Sequence, residues 1–231
     1  FMEYRRLGHS GLPISALSLG TWVTFGGILG RSDARNVVAC AYDAGINLFD
    51  SAESYAHGAA EELLGDVILD LRLRRDSYCV TSKAYFGSVP DPRPTQRGLS
   101  RKHLRDACDA SLRRLRVEYL DVFFCHRPDM DTPVEETVQA MDQLVRAGKI
   151  LYWGTSEWPA ERIRAAFKFA HANGLTAPTC EQVQYNLLHR ERVELEYAGL
   201  GDEYGLGLTT WSPLASGLLS GKYAHGQVPE A

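Results

Sequence analysis

Short apolar runs alternate with amphipathic helix patterns along almost the whole chain, and this alternation limits the fold more than any other feature. The runs are ALSLGTW (16–22), INLFD (46–50), SYCVTSK (77–83), LDVFFCH (120–126), LYWGTS (151–156), CEQ (180–182) and GLTTWSP (207–213). They are mostly apolar rather than alternating, as parallel strands buried on both faces are. The segments between them read as helices. Thr132-Pro133-Val134-Glu135 predicts a capping box with proline at the first helical position, followed by a stripe of Val134, Val138, Met141 and Val145 and a stop at Gly148. Ser100 predicts the cap of a second helix, whose Leu104, Cys108, Ser111 and Leu115 share one face. Both stripes read as core packing.

Strand–helix repeats imply a parallel sheet, open or closed. The polar residues decide between the two. Asp50, Lys83, His126, Ser156, Gln182 and Trp211 each stand at or beside the C-terminal end of a predicted strand. In a (β/α)8 barrel those ends converge on one mouth, where the chemistry sits; an open sheet needs no such set on so many strands. The expected fold is therefore α/β, a (β/α)8 (TIM) barrel forming a single domain over 1–231. EYRRLGHSGLPIS (3–15) predicts a preceding β-hairpin. Seven strands are counted where such a barrel has eight, so the chain is expected to lack the last strand and helix. The Pro- and Gly-rich stretch 84–99 is the longest non-periodic segment, and loops of that length are more often functional than idle.

Composition excludes several function classes. A hydrophobic content of 45% and a formal charge of −4 suit a globular domain and argue against a nucleic-acid footprint. No apolar run has membrane-span length, and the N-terminus lacks a signal-peptide core, so no membrane insertion is expected. The five cysteines are scattered, with no C-x-x-C pair, and read as free thiols, which favours a cytoplasmic home. No metal-ligand spacing occurs. GGILG (26–30) is not a dinucleotide fingerprint, and GLLSGKY (217–223) falls short of a P-loop, although its glycines and Lys222 suit a phosphate.

Asp50, Tyr55, Lys83 and His126 make one chemical set if they meet at the mouth. An unperturbed tyrosine, with a pKa of about 10, is a poor proton donor near neutrality. A lysine ammonium beside it is expected to lower that value, an aspartate to keep the lysine charged and aimed, and a histidine to orient a carbonyl by hydrogen bonding. Tyr55 could then protonate the oxygen while a hydride reaches the carbon. Taken singly, Asp50 reads equally as a helix N-cap, Tyr55 as a surface aromatic, Lys83 as a solvated charge and His126 as a loop residue. Tyr85, Phe86 and the loop after them are expected to line the substrate pocket with aromatic surface.

GTWVTFGG (20–27), NLFDSAESYAHGAAEELLG (47–65), TSK (81–83), GLSRKHL (98–104), YLDVFFCHRPD (119–129), GTSEW (154–158), CEQVQYN (180–186) and WSPLASGLLSGKY (211–223) closely resemble the aldo-keto reductase superfamily, in the branch containing voltage-gated potassium-channel β subunits. The resemblance implies a barrel that binds NADPH without a Rossmann domain and reduces small carbonyl compounds. It implies the tetrad Asp50, Tyr55, Lys83 and His126. For the cofactor it implies Gly20, Thr21, Trp22 and Asp50, carboxamide contacts from Ser156 and Gln182, stacking by Trp211, a pyrophosphate loop of Ser212, Pro213, Leu214, Ala215 and Ser216, and a phosphate contact from Lys222. Trp22 also faces the substrate, and relatives assemble as homo-oligomers, tetramers or octamers. Channel β subunits have asparagine in place of His126, which favours a working enzyme over a redox-sensing regulatory subunit. They also have glutamine in place of Ile28, and arginine in place of Glu157, where only backbone contact is then expected. The strand and helix that grip the adenosine 2′-phosphate would lie beyond Ala231. A Schiff-base aldolase using Lys83 fits a barrel but leaves Tyr55 and Trp211 unused.

Overall fold

The computed structural model describes residues 1–223; the expected domain's last residues, 224–231, lie outside the described residues. A two-stranded antiparallel hairpin, β1 (Tyr4–Arg6) and β2 (Pro13–Ser15), precedes seven parallel strands. These are β3 (Leu19–Gly20), β4 (Leu48–Asp50), β5 (Cys79–Ala84), β6 (Leu120–Cys125), β7 (Ile150–Ser156), β8 (Cys180–Gln184) and β9 (Gly207–Trp211), hydrogen-bonded in chain order. Helices α1 (Arg31–Asp43), α2 (Ala59–Asp70), α3 (Arg101–Leu115), α4 (Val134–Arg146), α5 (Ala160–Asn173) and α6 (Leu200–Tyr204) lie between the strands. All seven sequence-predicted strands are present, some shorter than read. The first ends at Gly20 because the chain turns there: the Thr21 backbone N–H and hydroxyl both donate to the Asp50 carbonyl.

The period of two along each strand separates two cores. Outward residues such as Phe49, Val80, Phe123 and Trp153 join Leu64, Leu104, Met141 and Ile163 of the helices in the larger core. Inward residues Leu48, Cys79, Val122, Phe124 and Cys180 meet Leu7 and Ile14 of the hairpin region in a smaller one. A single cavity is lined by residues of all seven parallel strands, so the sheet curls around it. This is the (β/α)8 barrel arrangement, with seven of its strands among the described residues and the hairpin packed against the inner core.

The hairpin seats tightly. The His9 N–H donates to the Gly205 carbonyl at 2.9 Å. Gly8 has φ +57°, and a Cβ there would stand 2.3 Å from that same oxygen. Gly8→Ala is expected to lower unfolding stability by about 2–4 kcal/mol, from left-handed strain plus a clash with rigid backbone. A urea midpoint equal to wild type would contradict this.

The helix signals divide. Ser100 caps α3 by accepting from the His103 N–H, and Leu104, Cys108, Ser111 and Leu115 are all buried, as read. The capping box before α4 does not form. Pro133 is itself the cap, with no side-chain bond, and the Thr132 hydroxyl donates instead to Asp129. Asp129 is the stronger acceptor and also takes the N–H groups of Leu99 and Asp131. All five cysteines are free, four of them buried. Among the described residues, no helix is long and apolar enough to cross a membrane, and no three His, Cys, Asp or Glu side chains are placed to hold a metal ion.

Candidate active site

Near the C-terminal ends of β4 to β9, inward positions carry polar or aromatic residues, while β3 ends on Gly20. On β5, Thr81 and Lys83 share the inner face; after Val122 and Phe124 on β6 comes His126. Ser156 ends β7, Gln182 lies on β8 and Trp211 ends β9. Parallel register brings them level, with Asp50 opposite Thr81, Lys83 opposite Phe124 and Ser156 opposite Gln182. All of these but the fully buried Lys83 line a cavity of ≈ 510 Å³.

Asp50, Tyr55 and Lys83 form one hydrogen-bonded cluster. The Lys83 ammonium is fully buried and donates to Asp50 Oδ2 at 2.6 Å, to the Ser51 carbonyl at 2.7 Å and to the Tyr55 hydroxyl at 3.1 Å. Asp50 Oδ1 accepts from the Thr81 hydroxyl at 2.7 Å and from Gln182 Nε2 at 3.0 Å. Asp50 is thus neither a helix cap nor a solvated carboxylate. Tyr55 follows a tight turn, its N–H on the Ala52 carbonyl, which carries the phenol from the end of β4 over Lys83. The His126 ring lies 5.8 Å from the Tyr55 ring.

Burial acts against the Lys83 charge, but Asp50 and Tyr55 outweigh it, so its pKa is raised and the amine stays an ammonium. For Tyr55, burial dominates and raises the phenol above its ordinary value, while Lys83 pulls it down. The expectation of a net lowering by Lys83 is therefore corrected: desolvation of the phenolate outweighs the ammonium. His126 is pushed down to about 2, by burial first and then by Lys83 and Arg127, so its imidazole is neutral.

The residues expected to hold a cofactor divide by position. Gly20, Trp22, Ser156, Gln182, Trp211, Ser212 and Pro213 line the cavity. Thr21 does not; it is buried, with its hydroxyl on Ser51 Oγ at 2.9 Å, because its side chain braces β3 against β4. Trp211 and Trp22 meet edge to face at 6.1 Å, with Trp22 largely exposed. Beyond the cavity, Leu214, Ala215 and Ser216 lie on a turn in which Ser212, Ala215 and Ser216 have φ of 52°, 47° and 54°. Lys222 folds over this turn, its Nζ 2.8 Å from where a Cβ on Gly217 would stand. An aromatic wall beside amide and hydroxyl groups, with a cationic turn adjoining, suits a flat polar heterocycle joined to phosphates. A nicotinamide dinucleotide thus fits the residues present.

Of the expected pocket aromatics, Phe86 lines the cavity and Tyr85 does not. The Tyr85 ring packs on the outer core, edge-on to Phe86 at 5.0 Å, because adjacent residues point apart. Buried Glu53 fixes this segment by accepting from the N–H groups of Tyr85 and Gly87, both at 2.9 Å. Two contributors, Thr81 and Arg127, went unread in the sequence, and the role of a third, Glu157, was misread. Thr81 could have been found from its period-two relation to Lys83. Glu157, expected to make backbone contact only, accepts from Trp211 Nε1 at 3.0 Å and from the Gln184 N–H at 2.7 Å, and so fixes the indole plane. Arg127 also lines the cavity, and nothing in the local sequence pattern marks it.

The sequence profile of the Aldo/keto reductase family matches residues 16–230. A probable voltage-gated potassium channel subunit beta of Arabidopsis thaliana is 48% identical over 228 residues, covering 99% of this chain and 69% of the relative. A protein of the same description from Oryza sativa subsp. japonica is 50% identical over 228 residues, with the same coverage. The barrel, the cluster at its mouth and these matches agree: the chain belongs to the aldo/keto reductase family, a family of oxidoreductases.

Proposed function

We propose that the chain reduces aldehydes or ketones to alcohols with NADPH, and that Tyr55 is the proton donor. One observation carries the reading: the buried Lys83 ammonium lies 3.1 Å from the Tyr55 hydroxyl at the cavity wall. When bound, the nicotinamide supplies a hydride to the carbonyl carbon. Ser156 and Gln182 would hold its carboxamide, Trp211 its ring, the 212–216 turn and Lys222 its phosphates.

Tyr55 gives its proton to the carbonyl oxygen as negative charge develops there. Its raised pKa keeps the phenol protonated through neutral pH. It remains far more acidic than the alcohol being formed. Lys83 stabilises the phenolate left behind in a site that excludes much of the water. Asp50 keeps Lys83 charged and aimed, and Thr81 and Gln182 hold Asp50. A neutral His126 can donate an N–H to the carbonyl oxygen without competing as the acid. An aldolase role for Lys83 is disfavoured, since a raised amine bonded to three oxygens carries no free lone pair for a carbonyl.

NADPH oxidation by the full chain with methylglyoxal tests this reading, and turnover with stoichiometric alcohol is the expected result. The names of the relatives, potassium-channel β subunits, favour a second reading, a regulatory subunit of that kind; we take its role to be redox sensing, with NADPH bound but little turned over. Tight NADPH binding with negligible oxidation, plus co-purification with a membrane protein, would select it.

A further inference from the structure

Two side chains lining the cavity carry formal charge, Asp50 and Arg127. Lys83 neutralises Asp50 at 2.6 Å. Nothing among the described residues neutralises Arg127. Its Nη1 donates to the His126 carbonyl and to the Ser156 hydroxyl, the latter at 3.3 Å, and both acceptors are uncharged. A guanidinium has five N–H donors in a fixed fork, and the rest find no acceptor among the described residues. The group is only half-buried and lies 5.7 Å from the Phe86 ring centre; that ring in turn is 5.2 Å from His126. Arg127 therefore stands beside the residue expected to touch the carbonyl, on its Phe86 side. Its charge reaches the reacting groups, since it helps lower the His126 imidazole.

An unpaired cation in the wall of a confined, largely apolar cavity favours an anion among the cavity's contents. A carboxylate matches the fork in two parallel hydrogen bonds, as a neutral ester cannot. We propose that Arg127 makes the site selective for carbonyl compounds that carry a carboxylate. The chemistry rests on the reductase reading above; the binding preference does not.

The full chain with NADPH is given 4-carboxybenzaldehyde and methyl 4-formylbenzoate, which differ in charge but little in shape. The wild-type ratio of kcat/KM, acid over ester, is expected to exceed 1 and to fall about 10- to 100-fold in Arg127→Met. Taking the ratio removes any loss common to both substrates, whether from folding or from cofactor binding. Arg127→Lys keeps the charge without the fork and should retain part of the preference. Raising salt from about 0.1 M to about 1 M should erode the wild-type ratio. A wild-type ratio at or below 1 overturns the proposal, as does an equal loss on both substrates in Arg127→Met, the signature of a structural or cofactor-holding guanidinium. If neither aldehyde reacts, the reductase reading fails by itself. Calorimetry with the corresponding benzyl alcohols then decides for Arg127: acid preferred, with the preference lost in Arg127→Met, supports it, and equal binding overturns it.

Discussion

Lys83→Met is expected to lower the unfolding free energy by about 3–5 kcal/mol and to cut carbonyl turnover by about 10²–10⁴-fold. Methionine keeps most of the side-chain stem in a site with no exposed surface, so packing changes little. The ammonium, however, is the shared donor to Asp50, the Ser51 carbonyl and Tyr55. Without it, the Asp50 carboxylate keeps only the Thr81 and Gln182 bonds and becomes an uncompensated charge in a poorly solvated site. Tyr55 then loses the one influence that most favours its phenolate, so proton release during reduction becomes harder. Urea unfolding and steady-state kinetics separate the two losses. Adding Asp50→Asn removes the stranded charge and should restore much of the stability with none of the turnover. A single variant as stable and as active as wild type would contradict both assignments.

His126 should make the protein acid-sensitive over a definite range. Its folded pKa is held to about 2 by burial and by the Lys83 and Arg127 charges, against about 6.5 when unfolded. Below pH 6.5 the unfolded chain takes up a proton that the folded chain refuses. Stability therefore falls with falling pH, by about 1.4 kcal/mol per unit and about 2 kcal/mol between pH 6.5 and 5. Glu181 acts oppositely. Its buried carboxyl is pushed up to about 8, so ionisation of the unfolded chain costs stability as pH rises from about 4.5 to 8. The wild-type curve mixes the two slopes, and the difference between wild type and His126→Asn isolates the histidine. That difference should shrink as pH falls. A difference constant from pH 7 to 5 would mean that His126 takes up its proton over the same pH range in the folded and unfolded chains.

The hairpin was legible from its two short segments around HSG, and the convergence of Asp50, Lys83, His126, Ser156, Gln182 and Trp211 from their places at or beside the C-terminal ends of successive apolar runs. In a parallel barrel, the last inward position of a strand faces the mouth whatever the loops do. Tyr55 was singled out as a partner for Lys83 and Asp50, and its hydroxyl does lie 3.1 Å from the Lys83 ammonium, although singly it read equally as a surface aromatic. What sequence could not weigh was competition. The net direction of the Tyr55 pKa depends on how much water the folded cavity removes, and neighbouring charges alone do not reveal that. The capping box before α4 failed because Asp129 reached Thr132 first. Tyr85 and Phe86 looked equivalent in the chain, and only the turn after β5 shows which ring enters the cavity. Arg127 and Glu157 matter through partners about 30 and 54 positions away, Ser156 and Trp211, and no local pattern encodes such contacts.

Single-turnover reduction of methylglyoxal by the full chain preloaded with NADPH, compared between wild type and Tyr55→Phe, bears most directly on the proton donor. Phenylalanine keeps the ring beside Trp22 and His126 and removes only the hydroxyl. Hydride transfer slowed by about 10²–10⁴-fold, with NADPH affinity little changed, is the expected result. Equal rates in the two proteins would mean that the proton comes from elsewhere.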